Sequence, residues 1–570
     1  QELDFFIKNE VMFLDDIESD TASRVEQYLS KIRVLRSIAH KFIDFLAQLE
    51  DFQKKLWLKK KFVLETNWLV TLDKVPEDLY PQIAANDAQL EEWVKLFAVD
   101  EIKSDLAGGV DYAEPLSVEF LKANPFLVLD TAFFDEAFKD ELLSSFEDID
   151  DEVDGLLVHG ENFQGLQLLQ DRYREHVRCI YIDPPYNTGG DDFVYKDSYQ
   201  HSSWLSLIAD RAELSCTFLK PLGVKAISLD STEMGNLDSL VKTRMPQYVR
   251  MGEFVWKTRN TDNRVTTRFS TDHEYIHLFA KIEGSIEGRV IDRSDFKNPD
   301  NDKRGPYTTD PLTGKANAED RPNLHYTITN PVSGDTYPPD SDFGWITDKS
   351  GFDSLLADDR VRWPRNPKTG KPRKKRFLYE ASIKAPISSL GISISQGEGN
   401  TDLSSMMGSK LMNFPKPVSV IKRTVDSCAA ETDMILDYFA GSGTTGQAVM
   451  RLNQDDNGNR RYCLIEVGDH FDNILKPRIA KTAYSTGWDA GKPTTRIGMT
   501  SCIKYIRLES YEDCLDNLTL SRTADQQKLV DEHGRFREDY MLRYMLDLEA
   551  RGSVLDLEAF ADPFGYKLSV

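Results

Sequence analysis

Short apolar runs recur through two stretches of the chain: Leu156–His159, Cys179–Asp183, Lys225–Asp230, Phe254–Lys257 and Tyr275–Ala280 in the first, Met434–Phe439 and Tyr462–Val467 in the second. Runs this short and this continuous, bounded by polar turns, predict strands buried on both faces, and the longer amphipathic stretches between them predict covering helices. The expected fold is therefore α/β, with one sheet of seven strands built from residues 151–285 and 401–490. Between 286 and 400 the apolar pattern breaks. Asp, Asn, Pro, Gly and Arg dominate there, with turn signals at Asn298-Pro299, Ser333-Gly334 and Pro338-Pro339, so this stretch reads as a domain inserted between the two halves of the sheet. Residues 1–150 are mostly helical in pattern and end in an acidic stretch, Glu147–Asp154. Residues 491–570 turn irregular and then helical, as at Asp539–Leu546. Both flanks read as helical accessory regions, and the apolar stripes of the first serve either as core or as a face for a partner. The strand-like end at Asp562–Lys567 and the absence of an initiator Met at Gln1 read as a fragment of a longer chain.

Composition narrows the class. A chain of 570 residues, 40% hydrophobic and 11% aromatic, exceeds one ordinary core and can fill several. No apolar stretch has the length of a membrane span and the N-terminus has no basic-then-apolar signal pattern, which leaves the cytoplasm as the expected compartment and no membrane partner. Cys179, Cys216, Cys428, Cys463, Cys502 and Cys514 form no Cys-x-x-Cys pair, so reduced thiols are expected and a metal is not. The net charge of −24 opposes a uniformly phosphate-binding surface, but its distribution matters more. From Arg360 to Arg376 nine basic residues, Arg362, Arg365, Arg373, Lys374, Lys375 and Arg376 among them, stand without one acidic residue. Such a run is either a solvated loop or a phosphate-binding face. Lys257, Arg259, Arg264 and Arg268 make a second basic stretch.

Two turns carry candidate chemistry. Asp183-Pro184-Pro185-Tyr186 follows one apolar run; its prolines stiffen the backbone, while the Asp183 carboxylate and the Pro184 carbonyl offer two acceptors beside the Tyr186 ring. Those groups suit a planar base bearing an amino group, although in isolation the same four residues form an ordinary turn. Gly441-Ser442-Gly443-Thr444-Thr445-Gly446 follows another run and predicts a close-approach turn that opens a helix near Thr444. A phosphate-binding loop is excluded by Gln447, which stands where the phosphate-neutralising Lys would be. Glu466, closing the next strand, can accept a pair of ribose hydroxyls or simply face solvent.

Asp183–Gly189 (DPPYNTG), Asp437–Thr445 (DYFAGSGTT) and Asn413–Arg423 (NFPKPVSVIKR) together resemble the amino-methylating DNA methyltransferases. The catalytic motif precedes the glycine-rich one, as in the permuted beta class that includes modification subunits of type III restriction systems and related phage-defence methylases. The resemblance spans roughly residues 155–485 and includes Val361–Pro364 with Gly370–Arg376. It implies a Rossmann-like methyltransferase sheet with residues 286–400 as an inserted target-recognition domain. It implies transfer of a methyl group from S-adenosylmethionine to adenine N6 of double-stranded DNA, the base being flipped out, with Asp183, Pro184, Pro185 and Tyr186 as catalytic residues. Cofactor contacts are implied for Phe414, Lys416, Asp437, Phe439, Ala440, Gly441, Gly443, Thr444 and Glu466, and for Glu161, Asn162 and Phe163, where Glu161 replaces the usual Asp. DNA contacts fall to Arg362, Arg365, Arg373, Lys374, Lys375 and Arg376, with Lys257 and Arg259, and the loop 187–199 with Tyr195 and Tyr199 lies over the base. A restriction or helicase subunit and a second copy of the chain are implied partners in a bacterial or archaeal cytoplasm. Cytosine N4 is the less favoured target because Ser usually precedes Pro-Pro-Tyr there. A DNA-recognition subunit with secondary methylation remains the alternative of a different class.

Overall fold

A computed structural model describes residues 22–103, 110–188, 199–258, 272–282, 294–340, 342–380 and 395–511, with short pieces at 3, 7, 286, 289–290, 384–385, 513, 518–520 and 566–568. The predicted helix at Asp539–Leu546, Cys514, Tyr195, Arg259, Arg264 and Arg268 lie outside the described residues. The chain divides into two compact units, residues 1–285 with 389–570, and residues 286–388.

The larger unit is built on one sheet. Its strands are β1 (Val63–Thr71), β2 (Val128–Asp130), β3 (Gly155–His159), β4 (Val177–Ile182), β5 (Leu219–Leu229), β6 (Val249–Lys257), β7 (His273–Ala280), β8 (Met434–Asp437), β9 (Arg461–Glu466) and β10 (Cys502–Leu508). They lie in the order β2-β1-β10-β3-β9-β8-β4-β5-β7-β6. The seven predicted runs are seven neighbours in this order, but among the described residues the sheet has ten strands, not seven. The flanks expected to be helical supply the other three: helix Ala22–Leu58 is followed by β1 and β2, and β10 comes from the C-terminal region. Pattern hides these strands. In β1 the apolar residues are split by Glu65-Thr66-Asn67, and in β10 Lys504 and Arg507 fall three apart, a helix-like spacing.

The middle of the sheet, β10, β3, β9, β8, β4 and β5, is parallel throughout. Every side chain of β4 is buried, as a parallel strand covered on both faces requires. Helices Asn162–Tyr173, His201–Ser215 and Met234–Arg244 contribute Leu166, Trp204, Ile208, Leu237 and Leu240 to the core. β7 runs antiparallel to β5, and β1 antiparallel to β10. Two consequences matter for function. β4 and β8 are hydrogen-bonded neighbours, Ile180 opposite Leu436, so the turns that follow them emerge side by side at one edge of the sheet. Because β7 is reversed, its first residues, His273 and Glu274, reach that same edge.

The smaller unit has a three-stranded sheet in which Arg373–Phe377 lies between Tyr307–Pro311 and Val361–Arg362. Leu312, Ile328, Tyr337, Trp345, Phe352 and Val361 form its core. Among the described residues no helix is long and apolar enough to cross a membrane. Cys179, Cys216, Cys428, Cys463 and Cys502 are free thiols.

Candidate active site

Both turns open into one cavity of about 790 Å³, lined by Asp183, Pro184 and Tyr186 from one and by Phe439, Gly441 and Thr444 from the other. The first turn is clamped from behind. The Trp204 indole N–H donates to the Pro185 carbonyl at 2.7 Å. Asn187, at φ +61°, accepts the Tyr199 N–H at 2.6 Å and donates to the buried Glu233 at 2.5 Å. The Tyr199 side chain packs against the core of the sheet.

Three charged or polar groups converge in front of the turn. The Tyr186 hydroxyl donates to Glu274 Oε2 at 3.0 Å. Lys416 Nζ lies 2.9 Å from Asp183 Oδ1 and 3.8 Å from Glu274 Oε2, and 4.6 Å from the centroid of the Tyr186 ring. Burial opposes the Lys416 charge, yet Asp183, Glu274 and Asp230 hold its pKa above the usual lysine value. Burial raises the Glu274 carboxyl, and Asp183 and Asp230 add to that, against Lys416 and the Tyr186 hydroxyl. Glu274 was not legible in the sequence: a Glu at the start of an apolar run reads as a solvated strand end until the strand is known to run backwards.

The glycine turn is tied down at three points. Asp437 Oδ1 accepts the Phe439 N–H at 3.0 Å and its Oδ2 the Thr445 hydroxyl at 2.6 Å. Burial lifts the Asp437 carboxyl to about 7 even so, with Asp183 and Glu466 contributing. Glu466 Oε2 accepts the Gly441 N–H at 2.8 Å, while its Oε1 accepts the N–H groups of Val467 and Gly468. The fully buried Arg478 donates to the Ser442 and Thr444 hydroxyls at 2.7 and 2.8 Å and sits 3.3 Å from Asp402; burial brings its pKa down to about 10. Helix Thr444–Asp456 starts at the predicted residue.

The two glycines differ. Gly441, at φ +52°, has no protein atom within 4 Å of where a Cβ would stand, so it leaves open space at the cavity wall. Gly443, at φ +81°, would put a Cβ 3.1 Å from Leu475 Cγ; its constraint is helix packing, not access to a ligand.

The remaining expected residues are distributed unevenly. Phe414 lines the cavity, as do Phe439 and Ala440. Lys416 lines it too, but its ammonium is directed at the Asp183 turn. Glu161, Asn162 and Phe163 are not among its lining residues. Glu161 caps helix Asn162–Tyr173 and pairs with Arg211; Asn162 donates to the Tyr438 carbonyl at 2.9 Å; the Phe163 ring stacks on Trp57 at 5.5 Å. Lys257 is exposed at the end of β6.

In the smaller unit, Lys375 and Phe377 point inward from the central strand, as its twofold alternation dictates. Lys375 is buried, 3.1 Å from both Asp300 and Asp302 and 3.3 Å from Asp359. The expectation that it binds phosphate is corrected: its charge is neutralised inside the fold. Arg376 pairs with Asp310 at 2.9 Å, Arg362 lies 3.4 Å from Asp300, and Arg373 donates to Thr309. Among the described residues, Arg365, Lys368 and Lys374 have no ion-pair partner.

The DNA methylase family model matches residues 177–477, a little more than half of the chain. The chain is 28% identical over 370 residues to the Mod subunit of the type III restriction-modification enzyme StyLTI of Salmonella typhimurium, covering 58% of this chain and 55% of that one. It is 30% identical over 394 residues to the Mod subunit of the type III enzyme EcoPI of Escherichia phage P1, covering 58% and 59%. With the type II methyltransferase M.KpnI of Klebsiella pneumoniae the identity is 27%, covering 57% and 85%. The match thus spans less than two thirds of either Mod subunit. Among solved structures, M1.HpyAVI is similar at 14% identity and a TM-score of 0.29, covering 57% of this chain and 98% of that one.

Proposed function

Since the chain belongs to the DNA methylase family, we propose that it transfers a methyl group from S-adenosylmethionine to the N6 amino group of adenine in duplex DNA, as the modification component of a restriction or phage-defence system. The cavity shared by the two turns supports this reading: Asp183, whose carboxylate suits an amino group, and Gly441, whose open wall suits a cofactor, both line it. The open space at Gly441 and the Asp437 and Phe414 side chains fit the cofactor end. Bound there, S-adenosylmethionine supplies an electrophilic methyl group on a sulfonium.

The chain's own residues do the rest. Adenine N6 is a weak nucleophile because its lone pair is delocalised into the ring. Asp183 accepts one N6–H and the Pro184 carbonyl the other, drawing the nitrogen toward tetrahedral geometry and freeing the lone pair. Tyr186 supports the ring by stacking. No side-chain nucleophile is needed, and positioning with complementary charge supplies the acceleration. The base must leave the duplex to reach the turn, which costs roughly a few kcal/mol that stacking and phosphate contacts recover. Residues 286–388 would choose the site by contacts to base edges, with Arg365, Lys368 and Lys374 on phosphate fixing the register. A restriction or helicase subunit and a second copy of the chain are the proposed partners.

Asp183→Ala in the purified chain tests this. Tritium transfer from labelled cofactor to DNA should vanish while calorimetric cofactor affinity stays within about twofold; retained transfer sinks the assignment. Sequencing modified bases in DNA from cells with and without the protein locates the site, and N4-methylcytosine there would replace adenine as the target.

A further inference from the structure

Lys416 occupies the place a target base needs. Its ammonium, a donor of several hydrogens like an amino group, is at hydrogen-bond distance from Asp183 Oδ1 and lies over the Tyr186 ring. A base stacked on Tyr186 with its amino group on Asp183 cannot enter while the lysine is there. Among the described residues, one further carboxylate lies within 4 Å of the same ammonium: Glu274, at 3.8 Å, already held in place by the Tyr186 hydroxyl. Asp230 adds a third negative charge nearby. Glu274 lines the cavity, and the reaction described above assigns it no part.

We infer that Lys416 is a stand-in for the substrate amino group and that Glu274 is the positioning residue that receives it, so that base entry moves the lysine from Asp183 to Glu274. This rests on the reading of Asp183–Tyr186 as the base-accepting turn. Placed there, the lysine neutralises Asp183 and shields the ring. When a base arrives, the ammonium passes between two carboxylates without ever being left buried and unpaired, the costly alternative. A shift of under 4 Å is within the range of side-chain torsions alone. Specificity follows as well: a base without an amino group offers Asp183 nothing in exchange for the lysine.

The test uses the full chain and a duplex carrying the site mapped by sequencing. Glu274→Gln keeps an acceptor for Tyr186 but loses the charge that receives Lys416. It should lower kcat/KM for DNA by roughly ten- to a hundredfold, the worth of a charged hydrogen bond, with cofactor affinity unchanged. In a Lys416→Met background, where nothing must be displaced, the same change should cost less than about twofold, the mark of coupled residues. Base extrusion read from 2-aminopurine placed beside the target adenine, which keeps its own amino group, needs no turnover, so the comparison holds even where Lys416→Met is inactive. Equal losses from Glu274→Gln in both backgrounds, or no loss in either, overturn the inference. Transfer by Asp183→Ala is a separate failure, of the turn itself, and would overturn it too.

Discussion

Glu466 Oε2 accepts the Gly441 N–H at 2.8 Å, joining the end of β9 to the glycine turn that follows β8. The carboxylate fixes the turn from the neighbouring strand, besides whatever it offers a ribose. Glu466→Ala should therefore weaken cofactor binding by roughly ten- to a hundredfold, as loss of a charged hydrogen bond predicts. Glu466→Gln should recover part of it, because one acceptor for Gly441 survives. Isothermal titration of the two variants decides; equal loss in both would mean that the charge, not the turn, is what matters.

Changes at the two glycines should separate binding from folding. Gly441→Ala meets left-handed backbone strain of about 1–2 kcal/mol and projects into the cavity, so cofactor affinity should fall far more than Tm. Gly443→Ala adds a contact with Leu475 to the same strain, so Tm should fall more than at Gly441. Calorimetric melts beside titrations check the order.

Asp437 gives a pH dependence. Its carboxyl, raised to about 7 by burial, is largely protonated in the free protein below that pH. A cationic ligand in the cavity favours the ionised form and lowers the pKa. Binding at pH 6 must then expel a proton, whereas at pH 8 the carboxylate is already ionised. S-adenosylmethionine affinity should rise from pH 6 to pH 8 and level off above, with proton release visible at pH 6 in buffers of different ionisation heat. Asp437→Asn should flatten the profile; an unchanged slope in that variant assigns the proton elsewhere.

The basic run should divide by burial. Lys375→Ala leaves Asp300, Asp302 and Asp359 facing one another and should destabilise residues 286–388 by on the order of 2 kcal/mol, below the loss for a fully buried pair because Asp359 is exposed. The salt dependence of DNA binding should not change. Arg365, Lys368 and Lys374 replaced together by Ala should do the opposite, flattening the logarithmic salt slope by about 0.9 per phosphate contact without altering the melt. A slope unmoved by the triple change leaves this run a solvated face.

Seven strands and both turns were legible because each depends on local pattern. Val177–Ile182 is apolar throughout since its strand is covered on both faces, and Thr444 opens its helix where Gly443 permits the positive φ. What the sequence hid depends on direction and distance. Glu274 joins Asp183 only because β7 runs backwards, and Arg478 reaches the glycine turn from 34 and 36 residues away. Lys375 looked like its neighbours in a basic run until strand alternation turned it inward toward Asp302, 73 residues before it. β1 and β10 were missed because neither shows a strand period along its own length; each is specified by the other.

That mutual dependence has a consequence for how the molecule is made. β10 lies between β1 and β3, and the Thr71 hydroxyl meets the Ser501 carbonyl across 430 residues. During synthesis β1 therefore leaves the ribosome long before its neighbour exists, and closing so large a loop is entropically slow. Until Cys502–Leu508 emerges, β1 and β3 each present an unpaired edge, the kind of surface that recruits strands from other chains. Expression products ending before residue 502 should aggregate or engage chaperones, while those carrying β10 should be recovered folded, so the last of this sheet's strands to be translated is the one that seals it.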